Sequence, residues 1–264
     1  MRRLLTFPCQ DEMLSGTLDE GHRAIGVLMV TGGSQTRIGS HRFSERLAKA
    51  LADDGYPCLR FDRRGVGDSS GEDPGFRNSG ADIAAAAATL RAEAPGAARL
   101  VGLGLCDGAT ALALHGADAE LTDVILINPW LVEAASGEPP PAAIRSHYRR
   151  RLLSVSGWKK LLTGKVNLRK LATGMRKAGS ATDTSLAEEA ARGLRRLGRP
   201  ATLILATRDA TATAAAAEVA RPTFAGLIEG RPVEIDTDSH TFARPGDQEA
   251  VTAAVLRTLA SKEA

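Results

Sequence analysis

Gly104-Leu105-Cys106-Asp107-Gly108 lies between an apolar run, Ala98-Arg99-Leu100-Val101-Gly102-Leu103, and an alanine-rich stretch, Ala109-Thr110-Ala111-Leu112-Ala113-Leu114. The first run reads as a buried strand and the second as a helix. A Gly-x-nucleophile-x-Gly turn between strand and helix holds its central side chain on a sharp, strained bend at the top of a sheet. The flanking glycines let strand and helix approach without Cβ clashes. A sulfur on that bend sits at a helix N-terminus, where free amides and the helix dipole favour a thiolate or an oxyanion. Cys106 is therefore the candidate nucleophile. The reading stands or falls on whether an acid and a histidine follow at later strand ends.

Working outward, strand-like and helix-like segments alternate along most of the 264 residues. Arg3–Pro8 and Met13–Asp19 read as an N-terminal antiparallel hairpin around Gln10-Asp11-Glu12. Ala24–Thr31 and Val124–Asn128 are continuous apolar runs, as expected of strands covered on both faces in a parallel sheet. Phe43, Leu47, Ala50 and Leu51 recur at helical spacing, with Ser40 as the expected N-cap and Gly55 as the stop. Pro57–Asp62, Thr202–Ala206 and Pro232–Asp236 are further strands, and Asp82–Ala94 and Gln248–Leu259 further helices. The expected fold class is α/β: one domain over 1–264, with an eight-stranded, mostly parallel sheet flanked by helices.

The pattern breaks after Asn128. Gly137-Glu138-Pro139-Pro140-Pro141 is a rigid interruption, and from Pro139 to Thr182 there is no acidic residue, while lysine and arginine abound. The stretch 131–199 reads as a basic helical cap, or lid, inserted above the sheet. Its cations could meet phosphates of a substrate. A solvated helical face explains the same charges.

The acid and the histidine are where a hydrolytic triad requires them. Thr202–Ala206 runs into Thr207-Arg208-Asp209, and Pro232–Asp236 runs into Thr237-Asp238-Ser239-His240. The order nucleophile, acid, histidine at successive strand ends gives catalytic candidates Cys106, Asp209 and His240. His240 would take and return a proton, and Asp209 would fix its tautomer. Asp209 could equally cap the helix that follows it. Donors for a developing oxyanion are expected from the backbone N–H of Asp107 and of Gly33, the latter in the glycine turn Gly32-Gly33-Ser34.

Four segments together resemble a known family. Gly32-Gly33-Ser34-Gln35-Thr36-Arg37-Ile38-Gly39-Ser40-His41-Arg42, Leu59-Arg60-Phe61-Asp62-Arg63-Arg64-Gly65-Val66-Gly67-Asp68-Ser69, the elbow Gly104–Ala109, and Asp238-Ser239-His240-Thr241-Phe242 are similar to the exosortase A system-associated hydrolase 1 proteins, within the α/β-hydrolase superfamily. Ser34 stands where that family has proline, and Ala206-Thr207 where Ser-Gly is common. The resemblance implies the α/β-hydrolase fold and hydrolase chemistry with a link to exopolysaccharide systems. It also marks Ser34, Arg37, His41 and Arg64 as candidate substrate contacts on loops at the sheet's C-terminal edge.

A cysteine nucleophile suits an ester or thioester passing through an acyl-cysteine intermediate. The expected substrate is a small acyl ester or thioester, free or bound to CoA or a carrier. Transfer of the acyl group to an acceptor is the alternative to hydrolysis, and a non-catalytic binding protein on the same fold is a third reading. A dinucleotide-binding reading of Gly102–Gly108 fails because the next strand ends in Asn128-Pro129 without the acid that would hold a ribose. Net charge is only +3 and aromatic residues are 4%, which argues against a nucleic-acid partner. His22, His41, His115 and His147 lack ligand spacing, so neither metal nor other cofactor is expected. With 3 cysteines, no long apolar segment and no signal-like N-terminus, a cytoplasmic protein without a membrane span is expected.

Overall fold

The computed structural model describes residues 1–132 and 185–263. Strand β1 (Arg2–Cys9) and β2 (Glu12–Asp19) form the expected antiparallel hairpin. Then come β3 (Ile25–Val30), α1 (Phe43–Asp53), β4 (Cys58–Phe61), α2 (Gly80–Glu93), β5 (Arg99–Leu105), α3 (Asp107–His115) and β6 (Asp123–Ile127). After the undescribed stretch follow α4 (Ser185–Leu197), β7 (Thr202–Ala206), α5 (Ala210–Val219), β8 (Val233–Ile235) and α6 (Asp247–Glu263).

The 8 strands make one sheet in the order β1-β2-β4-β3-β5-β6-β7-β8. β1, β2 and β4 pair antiparallel, and every pairing from β4 to β8 is parallel. Strands β3, β6 and β7 are buried along their whole length, because helices cover both faces. Since β3, β5, β6, β7 and β8 all run the same way, Val30, Leu105, Ile127, Ala206 and Ile235 end at one edge. The loops that follow these five residues build the site.

Two local expectations are corrected. Ser40 does not cap α1: it lies in a 3-10 turn, and the N-cap is Arg42, in a left-handed conformation with no side-chain cap bond. Gly39, His41 and Arg42 have φ of 74°, 51° and 60°, so the chain turns sharply into the helix and Ser40 faces elsewhere. Its amide instead donates to Gln35 Oε1. Of the stretch read as a cap, 133–184 lies outside the described residues. Its final part is α4, which packs on α3 with Leu186, Ala190, Ala191 and Leu194 buried. A Cβ at Gly193 would lie 2.0 Å from the Ala113 carbonyl, so α4 belongs to the helical layer on the sheet.

Candidate active site

Cys106 is the residue between β5 and α3, with φ 59° and ψ −127°. A non-glycine residue in that region is strained and persists only where its surroundings hold it there. They do so through the main chain. The Cys106 amide donates to Ile127 O at 3.0 Å, and its carbonyl accepts from the amides of Ala109, Thr110 and Trp130. The flanking glycines are required sterically. A Cβ on Gly104 would lie 2.7 Å from the Ala109 backbone, and one on Gly108 would lie 2.5 Å from Val30 O. The sulfur, partly exposed, therefore stands at the N-terminus of α3.

His240 Nδ1 lies 2.9 Å from Asp209 Oδ2. The same carboxylate oxygen accepts the Ala212 amide at 2.9 Å and so caps α5. Asp209 thus both meets the imidazole and caps α5, and the cap fixes the oxygen that the imidazole meets. Burial by itself would lower the His240 pKa. The hydrogen bonds to Asp209 and Cys106, together with the charges on both, outweigh it and push the value up to about 10.

Gly33, with φ 57°, brings its amide to the elbow. That N–H donates to the Asp107 side chain, Oδ1, at 2.5 Å. An oxyanion donor expected to face substrate is covered by a carboxylate of the chain itself. Arg63, buried, donates from Nη2 to the Gly33 carbonyl at 2.5 Å and lies 3.5 Å from Asp73. The peptide around Gly33 is therefore held at both ends.

The four expected substrate contacts divide. Ser34 and His41 are exposed. Arg37 and Arg64 brace buried carboxylates, the role that the sequence left open for Arg64 beside substrate contact. Arg37 is bound to the fully buried Asp62, to Asp68 and to Thr17, and Arg64 lies on the fully buried Asp82 and on Gln10. Both guanidiniums neutralise carboxylates that would otherwise be buried and unpaired.

Sequence reasoning missed Asn128. Fully buried with φ 43°, it donates from Nδ2 to the His240 carbonyl at 2.9 Å and accepts the Ala206 amide on Oδ1 at 2.8 Å. It ties the histidine loop to the ends of β6 and β7. The available signal was an asparagine and proline closing an apolar strand at the site edge. Among the described residues no cluster of three or more His, Cys, Asp and Glu could hold a metal, and no helix is long and apolar enough to cross a membrane.

The model of the alpha/beta hydrolase family matches residues 27–254. The chain belongs to that family. No curated protein sequence matches this hydrolase. Its fold is shared with the Pyrococcus furiosus esterase Pf2001, at 17% identity over 97% of this chain and 92% of that one, TM-score 0.63. The alpha/beta hydrolase GrgF from Penicillium sp. sh18 is similar at 18% identity, 97% of each chain and TM-score 0.64. Est1E from Butyrivibrio proteoclasticus, solved with ferulic acid bound, is similar at 15% identity, 97% and 98% coverage and TM-score 0.62. At these identities the likeness to the hydrolase is one of fold.

Proposed function

We propose that this hydrolase cleaves an ester or thioester through an acyl-cysteine intermediate on Cys106. The observation that carries the reading is a strained elbow cysteine at the same sheet edge as a His240 imidazole held 2.9 Å from the Asp209 carboxylate. The Cys106 sulfur attacks the carbonyl carbon. The bond to the leaving oxygen or sulfur breaks, and the protonated imidazole gives its proton to that atom. Water then attacks the acyl-thioester while His240 takes its proton, and Cys106 is released. Asp209 stabilises the imidazolium and holds its orientation. The amides of Asp107 and Gly33 receive the developing oxyanion once the Asp107 carboxylate has moved off Gly33.

Transfer to an acceptor other than water shares the first half of this sequence. A thioester donor makes that half nearly balanced, because one thioester replaces another. The esterases among proteins of the same fold support ester chemistry. Within the family, the segments around Gly32–Arg42 and Leu59–Ser69 support a place among the exosortase A system-associated hydrolases, and so a role beside exopolysaccharide metabolism. A free thiol nucleophile also suits the reducing cytoplasm. The test is turnover of a short-chain p-nitrophenyl ester and an acyl thioester by Cys106→Ala. Loss of both activities is expected, and full activity in the variant would overturn the assignment.

A further inference from the structure

We infer that the cleft between the Gly39–Arg46 segment and the Ala243–Glu249 segment is an anion site that takes a phosphate or diphosphate group at the far end of the substrate. The cleft holds about 460 Å³, within the usual range for small-molecule sites, and is lined by His41, Arg42, Arg46, Arg244, Gln248 and Glu249. Its two walls continue the loops that carry Gly33 and His240. Beneath it, Phe43 and Phe242 stack with ring centroids 5.9 Å apart, and both are buried. This stack fixes one wall against the other.

The charges in the cleft are only partly used. Arg42 gives Nε and Nη2 to Glu45, at 2.5 and 2.7 Å, which leaves Nη1. Arg244 gives Nη2 to Asp238 at 2.7 Å, which leaves Nε and Nη1. Arg46 pairs with no carboxylate among the described residues, and its partner there is Gln248 Oε1 at 3.2 Å. Glu249 is the carboxylate in the lining. Glu45 and Asp238 balance two of the three guanidiniums and Glu249 lies in the lining, yet the donors left free on Arg42, Arg46 and Arg244 converge on one cleft and match an oxyanion of fork-compatible geometry. The left-handed turn at His41 and Arg42 directs the chain so that an imidazole and a guanidinium on consecutive residues reach the same cleft.

The chemistry can come from the phosphates of an acyl-CoA donor or from a nucleoside-diphosphate sugar as acceptor. That the ligand also reaches Cys106 rests on the acyl-cysteine reading, whereas binding does not. The experiment is calorimetric titration of the Cys106→Ala protein with free coenzyme A and with a nucleoside-diphosphate hexose. Each titration is repeated with Arg46→Gln and Arg244→Gln added together, and with Arg46→Lys, which keeps the charge. Binding of one ligand that weakens about tenfold or more in the double variant, and less in the lysine variant, supports the site and names its source. No binding at about 1 mM, or binding indifferent to the arginines, overturns it. In a parallel kinetic arm, the selectivity for acyl-CoA over the same acyl thioester of N-acetylcysteamine falls about tenfold in the double variant. An unchanged ratio also counts against the site. Failure of the Cys106 assignment would instead show as turnover surviving Cys106→Ala.

Discussion

The Gly33 amide donates to Asp107 Oδ1 at 2.5 Å, so the residue beside the proposed nucleophile covers the amide proposed as an oxyanion donor. A carboxylate so placed competes with substrate for the N–H and repels the charge that develops on the carbonyl oxygen. Asp107→Asn keeps the shape and removes the charge. We expect acylation measured by pre-steady-state burst to rise about tenfold, the lower end of what a hydrogen bond to a charged group is worth. A fall would mean that the carboxylate assists the reaction.

His240 titrates at about 10 in the folded chain, against about 6.5 in an unfolded one. A raised folded value means that the native state binds the proton more tightly. Its contribution to stability is complete below about pH 6.5 and is lost as the pH rises through about 10. The imidazole Cε1 resonance should therefore titrate near 10, and Asp209→Asn should bring the midpoint down. A midpoint near 6.5 in the native protein would remove the proposed imidazolium.

Asn128→Ala deletes the bridge from Ala206 to the His240 carbonyl and leaves both main-chain groups without that partner. The expected cost is about 1–3 kcal/mol in denaturant unfolding, with a fall in kcat that exceeds the change in KM. Equal stability would show that water replaces the amide.

Gly108→Ala would put a methyl group 2.5 Å from Val30 O, between α3 and the end of β3. Backbone must move to admit it, so a loss of about 1–3 kcal/mol is expected by thermal or denaturant unfolding. An unaffected midpoint would mean that the elbow is looser than its geometry implies.

Much of this was legible in the chain. Continuous apolar runs announced the parallel strands, and the glycines around Cys106 announced the elbow, because each reflects a local steric or burial requirement. The spacing of Asp209 and His240 behind strand ends was legible for the same reason. Partner choice was not. A motif shows that Arg37 and Arg64 matter but not that Asp62 and Asp82 lie buried beneath them, which depends on how β4 and α2 pack. The Asp107 rotamer depends on a loop 74 residues away, and Asn128 acts on a carbonyl 112 residues away. Ser40 misled because its residue type suits a cap, while two left-handed residues after it moved the N-cap to Arg42.

Intact mass spectrometry after mixing with a slow ester or an acyl thioester tests the central claim most directly. The wild-type protein should gain the mass of one acyl group, mapped by peptide analysis to Cys106, and the adduct should persist longer when His240 is replaced by Gln. Turnover with no adduct on Cys106, and with Cys106→Ala as active as the parent, would contradict the account.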